Sequence, residues 1–151
     1  MKLIIACDAN GGIGYKNKLP WTKIQGDLPR FKRLTTGKIV VMGRNTWDSL
    51  SGKKLPNRIN TVVTSNPMNV IGYPDVITSD TDFSTAGDQY CLIGGANLIQ
   101  SCWEYIDQVH LTRTYDEYIC DTFIDLLYIE NNFNLTYNEI FCDHQYQIWK
   151  R

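Results

Sequence analysis

Short apolar runs rich in isoleucine and valine recur along this chain, bounded by glycine, proline and asparagine: Leu3 to Cys7, Ile39 to Met42, Ile59 to Val63, Tyr90 to Ile93 and Val109 to Thr112. Runs this short, with turn residues at their ends, fit buried strands better than helices. Between them lie stretches with helical spacing, Asp27 to Leu34, Arg44 to Leu50 and Ala96 to Ile106. Strand and helix therefore alternate, which implies an α/β fold with a mostly parallel central sheet. After Thr114 the pattern changes. Asn134 to Phe141 and Tyr146 to Trp149 follow each other across a short turn and predict an antiparallel C-terminal hairpin at one sheet edge. The polar stretch from Pro67 to Asp88 predicts a strand at Val76 to Thr78 and a weak helix near Phe83. With no internal repeat and no low-complexity linker, residues 1–151 are read as a single domain flanked by about four helices.

Bulk properties narrow the partners. A chain of 151 residues can bury one sizeable core without staples. Its 15 basic and 16 acidic residues are scattered, for a net charge of -1, so neither nucleic acid nor an anionic membrane is expected as main partner. The five cysteines, Cys7, Cys91, Cys102, Cys120 and Cys142, form no C-x-x-C pair. Together with the lack of a histidine cluster, that argues against a disulfide framework or a metal site. The run Leu3 to Ala6 is too short for a secretion signal and Asp8 follows it at once, so a cytoplasmic protein is expected. No conspicuous apolar stripe is left over once strands and helices are packed, and a monomer is the default.

Four segments carry chemistry. Asp27 stands among apolar and aromatic residues where a helix begins, a setting in which a carboxylate is disproportionately functional. The segment from Ala6 to Trp21 holds Gly11, Gly12 and Gly14 in a polar loop closed by Pro20 and Trp21, and reads as a lid or as an ordinary glycine-rich loop. Val41 to Trp47 runs from a strand through Gly43 to Arg44 and Thr46, and fits either an anion site or a capped helix with a solvated arginine. Cys91 to Ile99 repeats strand, glycine pair and helix, the local form that lets a pyrophosphate approach the backbone. Two such turns at the carboxyl ends of neighbouring parallel strands point to a nucleotide-type ligand.

Taken in order, Ile13-Gly14, Leu19-Pro20-Trp21, Asp27 with Phe31-Lys32, Met42 to Trp47, Leu55 to Arg58, Thr64-Ser65, Ile93 to Gly95, Leu111-Thr112 and Cys120 to Phe123 resemble the dihydrofolate reductase family. The resemblance covers nearly the whole chain. It implies a dihydrofolate reductase-like fold and NADPH-dependent reduction of dihydrofolate to tetrahydrofolate, by hydride transfer to C6 and protonation at N5. It also implies roles. Asp27 would bind the pterin and polarise it, Thr112 would orient Asp27 through its hydroxyl, and Trp21 would stand near the nicotinamide. Ile5, Leu28, Phe31, Leu50, Leu55 and Ile93 would pack the substrate, and Arg58 would hold its α-carboxylate. Cys7 and Ile13 through their backbones, and Gly14, Leu19, Arg44, Thr46, Thr64, Ser65, Ile93, Gly94, Gly95, Ala96, Asn97 and Ile99, would meet the cofactor. Asp27 is also the carboxylate with which diaminopyrimidine antifolates would pair.

The chain departs from the family pattern in places. Ala96 and Asn97 stand where many relatives have Gly and Arg, so selection of NADPH would rest on Arg44 with Thr64 and Ser65. Ile99 replaces an aromatic residue, usually Tyr. One extra residue falls between Trp21 and Asp27 and another before Leu55. The alternatives weighed are a pyrimidine reductase of riboflavin synthesis, which has no use for the set Trp21, Asp27, Phe31 and Arg58, and a non-catalytic nucleotide-binding module of the same fold.

Overall fold

In a computed structural model describing residues 1–151, the apolar runs form the interior of one large sheet. The elements are β1 (Lys2–Cys7), β2 (Gly12–Gly14), α1 (Asp27–Thr35), β3 (Ile39–Gly43), α2 (Arg44–Ser49), β4 (Ile59–Val63), β5 (Val76–Thr78), β6 (Tyr90–Gly94) and α3 (Ala96–Cys102). They continue with β7 (Gln108–Thr114), β8 (Thr122–Phe123), α4 (Leu126–Asn132), β9 (Asn134–Ile140) and β10 (His144–Lys150). The eight-stranded sheet has the order β5-β4-β3-β6-β1-β7-β10-β9. Every pairing from β5 across to β7 is parallel, and β10 joins β7 and β9 antiparallel. The mostly parallel sheet and its C-terminal hairpin are as the sequence pattern predicts.

Successive residues of a strand point to opposite faces, so each buried strand feeds two cores. Leu3, Val41, Leu92 and Leu111 pack on one side with Leu98, Ile99 and Cys102 of α3 and Ile129 of α4. Ile4, Val40, Met42, Val62 and Cys91 pack on the other with Trp47 of α2, and Phe31 and Leu34 of α1 lie against them. Trp47 is fully buried and satisfies its indole by donating to the carbonyl of Ile71 at 2.6 Å. Helix α1 opens on Asp27 with Pro29 in its first turn, where a proline lacks no needed donor, and it closes before Gly37, whose φ is +77°.

Three local expectations change. No helix forms near Phe83. The Asp80 and Asp82 carboxylates accept the backbone N–H groups of Asp82 and Ser84 at 2.9 Å, and these local turns compete with helix. The helix expected through Ile106 ends at Cys102 and continues as a single 3-10 turn, Trp103–Tyr105. The fourth helix is instead α4, capped by the Asp125 carboxylate, which accepts from the Tyr128 N–H at 3.0 Å.

Asp8 closes the active edge of the fold. It is 1% exposed, and its carboxylate accepts backbone N–H groups from Asn10 at 2.9 Å, Gly12 at 2.8 Å and Tyr118 at 2.9 Å. Burial alone would push this carboxyl up. The N–H groups of Tyr118, Gly12 and Asn10, with the Cys120 thiol, outweigh burial and hold it below the usual carboxylate range. Cys120 packs so closely here that a Cβ on Gly12 would overlap its sulfur. Asp8→Ala leaves three backbone donors unpaired and is expected to lower stability by about 3–5 kcal/mol in urea unfolding at pH 7. Because the folded carboxyl is depressed, its contribution is complete above the unfolded value near pH ~4 and is lost as pH falls through the lower folded value. The gap between wild type and Asp8→Ala should therefore narrow in acid.

Candidate active site

The carboxyl ends of the parallel strands open onto one cavity of about 1240 Å3, the position where open α/β sheets bind ligands. Ile5 from β1 and Thr112 from β7 line it, as do Leu50 after α2 and Leu55 before β4. Ile93 enters by a register shift. Val41 of β3 faces Leu92 and Met42 faces Gly94, so Ile93 has no partner on β3 and its side chain is half-buried at the cavity wall.

At one end α1 contributes Asp27, Leu28 and Phe31. Asp27 is half-buried, and no protein group donates to its carboxylate. Thr112 was expected to supply that bond. Its hydroxyl oxygen instead accepts from Nη1 of Arg30 at 3.2 Å, because the Arg30 guanidinium is buried against β7. Arg58 lies further along, pre-oriented by donating from Nε to the Pro56 carbonyl at 2.8 Å and from Nη1 to the Thr35 hydroxyl at 2.9 Å. Buried Asn60 organises this loop by accepting the Leu55 N–H and donating to the Leu55 and Arg58 carbonyls.

At the other end the two glycine turns meet. Gly43 and Gly95 precede α2 and α3 as N-caps, and neither first turn is capped by a side chain. A Cβ on Gly94 would stand 3.1 Å from the Thr46 hydroxyl, and one on Gly43 would stand 3.7 Å from the Gly95 nitrogen. Gly94 also has φ +136°, which disfavours any side chain. Arg44 leans over this cradle, 3.6 Å from Asp48, with its Nε buried and without a hydrogen-bond partner. Thr64, Ser65, Ala96 and Asn97 complete the wall.

Ile13, Gly14 and the exposed Leu19 reach the cavity from the glycine-rich segment. The base of that segment is tied down. β2 pairs with β8, the Asp121 carboxylate accepts the Lys16 N–H at 2.9 Å, and the Asp121 N–H donates to the Gly14 carbonyl at 2.9 Å. Its turn is made by Lys16 (φ +49°) and Asn17 (φ +61°) between the bridged Tyr15 and Lys18, and not by the glycines.

Three residues expected at the site keep their side chains packed away from the cavity, Cys7 among them although its expected contact is through its backbone. Trp21 is buried edge-on against Tyr118, with ring centroids 5.9 Å apart. The Cys7 side chain points into the core, where burial pushes its thiol up to about 12. Ile99 lies in the same core because α3 turns its Leu98, Ile99 and Cys102 face to the sheet. Conversely Arg30, His110 and Tyr146 line the cavity without having been singled out. For Arg30 the signal was its spacing: Asp27, Arg30, Phe31 and Leu34 fall on one helix face.

The fold and site define an α/β protein that binds its ligand across the carboxyl edge of an open sheet, with an acidic pocket at one end and an anion cradle at the other. The family model for dihydrofolate reductase matches residues 1–148. The type 8 dihydrofolate reductase of Escherichia coli is 38% identical over 134 residues, covering 82% of this chain and 79% of that protein. The dihydrofolate reductase of Bacillus subtilis is 39% identical over 121 residues, covering 78% and 71%. A bifunctional dihydrofolate reductase-thymidylate synthase of Paramecium tetraurelia is 39% identical over 128 residues, and the match spans 28% of its length. Among solved structures, dihydrofolate reductase of Enterococcus faecalis complexed with NADP(H) and RAB-propyl superposes with a TM-score of 0.85 at 25% identity, covering 99% of this chain and 95% of that one. The chain belongs to the dihydrofolate reductase family.

His110 gives the cavity wall a pH dependence. Its Nδ1 accepts from the Tyr146 hydroxyl at 2.6 Å and its Nε2 donates to Gln108 at 3.2 Å, which is the neutral tautomer. Burial, with help from Lys2 and Lys150, pulls its pKa down to about 4. The unfolded chain therefore takes up the proton first. Stability from neutral His110 is complete above pH ~6.5 and is lost as pH falls toward 4, by on the order of 2 kcal/mol. His110→Gln keeps an acceptor for Tyr146 and should flatten the stability profile between those pH values.

Proposed function

We propose that this protein reduces 7,8-dihydrofolate to 5,6,7,8-tetrahydrofolate with NADPH. The observation that carries the reading is the Asp27 carboxylate, free of protein donors, in a half-apolar cavity that continues into a glycine cradle. A pterin ring presents an amino group and a ring N–H side by side, and one carboxylate can accept both. Each charge-assisted bond in such a site contributes on the order of 1.5–3 kcal/mol. Phe31, Ile5 and Ile93 offer apolar faces for the ring, and Arg58 is set to grip the α-carboxylate of the glutamyl tail bidentately.

The residues at the cradle fit a dinucleotide phosphate. Gly43, Gly94 and Gly95 leave room that a Cβ would fill, and the Arg44 Nε, 3.6 Å from the Asp48 carboxylate but making no hydrogen bond, keeps a donor for a ligand phosphate. Arg44, Thr46, Thr64 and Ser65 would hold the phosphates, with Gly95, Ala96 and Asn97 opposite them. When bound, NADPH supplies the hydride delivered to C6. Asp27 orients the ring and polarises it so that N5 becomes more basic, and the proton reaches N5 by way of water. Trp21, packed on Tyr118, contributes by holding the loop that leads to α1.

The same reading makes residues 1–151 one domain acting as a monomer in the cytoplasm. No helix is long and apolar enough to cross a membrane.

Dihydrofolate-dependent oxidation of NADPH by the purified protein tests the proposal directly. Asp27→Asn should lower kcat/KM for dihydrofolate by at least about 100-fold while leaving NADPH binding intact. NADPH binding without any turnover of dihydrofolate by the wild type would refute it. Arg44→Gln should raise the KM for NADPH and cut its advantage over NADH by roughly tenfold, since a bidentate cation facing the extra phosphate is lost.

A further inference from the structure

Arg30 is a buried cation with no carboxylate within 4 Å, although it opens onto the cavity three residues after Asp27. A guanidinium cannot shed its proton, so the charge stays. The surroundings are built for it. Nη1 donates to the Thr112 hydroxyl at 3.2 Å and Nη2 meets Nε2 of His144 at 3.2 Å. Because arginine can only donate, Nε2 must be the acceptor. His144 is then neutral, with its proton on Nδ1, directed to the Asp143 carboxylate at 2.7 Å. The guanidinium also lies 4.3 Å from the ring centre of Tyr146 and 5.1 Å from that of Phe141.

Asp27 and Arg30 share one helix face, with Cβ atoms about 5–6 Å apart for that spacing. Of the charged residues lining this end of the cavity, Asp27 is negative and Arg30, Lys32 and Arg58 are positive. That excess of positive charge suits a neutral head whose donors face Asp27. A head that arrives as a cation meets the same carboxylate and a fixed cation behind it.

We propose that Arg30 sets the ligand-charge preference of this site, favouring a neutral 2-amino-4-oxo pterin head over a protonated 2,4-diamino head. The proposal rests on the reductase reading above. A ring that takes a proton to pair with Asp27 adds a second positive charge beside Arg30, in a partly desolvated site where such repulsion is weakly screened. A neutral pterin forms the same bonds to Asp27 without that penalty.

The experiment compares Kd values for folate and for its 2,4-diamino counterpart with the same tail, so that only the head differs. In Arg30→Gln, which keeps donors but drops the charge, the ratio Kd(diamino)/Kd(folate) should fall by about tenfold or more. Arg30→Lys keeps the charge and should leave the ratio within about threefold of wild type. If Arg30→Gln does not fold, the double variant Arg30→Met/His144→Leu removes the cation and its histidine partner together, and the same fall is expected. An unchanged ratio in a folded variant lacking the charge overturns the proposal and leaves the reductase reading intact. A wild type that binds neither head would instead defeat the reductase reading, and this proposal with it.

Discussion

Parallel pairing of β1 with both its neighbours is the constraint on which the site depends. Lys2 to Cys7 run in register beside Gln108 to Arg113 on one side, and Lys2 and Leu3 beside Cys91 and Leu92 on the other. Three parallel neighbours must deliver their carboxyl ends to the same edge. Ile5, the Gly94-Gly95 turn and Thr112 therefore converge, although they are far apart in sequence. The two cores on either face hold this register, because a slip of one residue would exchange the buried sets Leu3, Val41, Leu92 and Ile4, Val40, Cys91. The register shift between β3 and β6 at Ile93 aims a side chain at the cavity wall.

That logic explains what was legible in the sequence. Strands buried on both faces read as continuous Ile/Val runs, so Ile59–Val63 appears with its predicted bounds, and the exposed edge strand Val76–Thr78 is legible from its β-branched residues alone. Helix α4 was missed because only Ile129 of its seven residues is buried, too little to impose a period. The pair β2 and β8 was missed because strands of three and two residues carry no pattern at all. At the site, glycine turns and Asp27 were legible since their chemistry is written in residue type. Trp21, Cys7 and Ile99 are expected near the ligand through resemblance alone, Cys7 by its backbone, and packing buries all three side chains. Arg30 was passed over for the opposite reason. A charged residue on an apolar helix face reads as solvated unless its partners, Thr112 and His144, are already known to lie opposite.

Those partners tie the hairpin edge to the pocket. Asp143 accepts from His144 and also from the Gln25 N–H at 3.0 Å, so the β9–β10 turn holds both the loop before α1 and, through His144, the guanidinium on α1. Phe141 stacks on His144 with ring centroids 4.6 Å apart. Every polar member has a partner, which is the condition under which a buried polar network rigidifies its surroundings and does not weaken them.

The two ends of the cavity thus achieve fit by different means. The cradle end works by leaving atoms out: glycines at 43, 94 and 95 let two turns approach each other until a Cβ added at Gly94 would crowd the Thr46 hydroxyl. The glycine turns there set a steric limit on what can approach, and Arg44 beside them supplies the charge. The acidic end works by fixing side chains through a relay of hydrogen bonds, with charge as the quantity being set. Volume there can be traded among Leu28, Phe31 and Leu50, whose contacts are apolar and adjustable. Charge cannot, because Thr112 takes its hydrogen bond from the Arg30 guanidinium, carried on the helix face that bears Asp27.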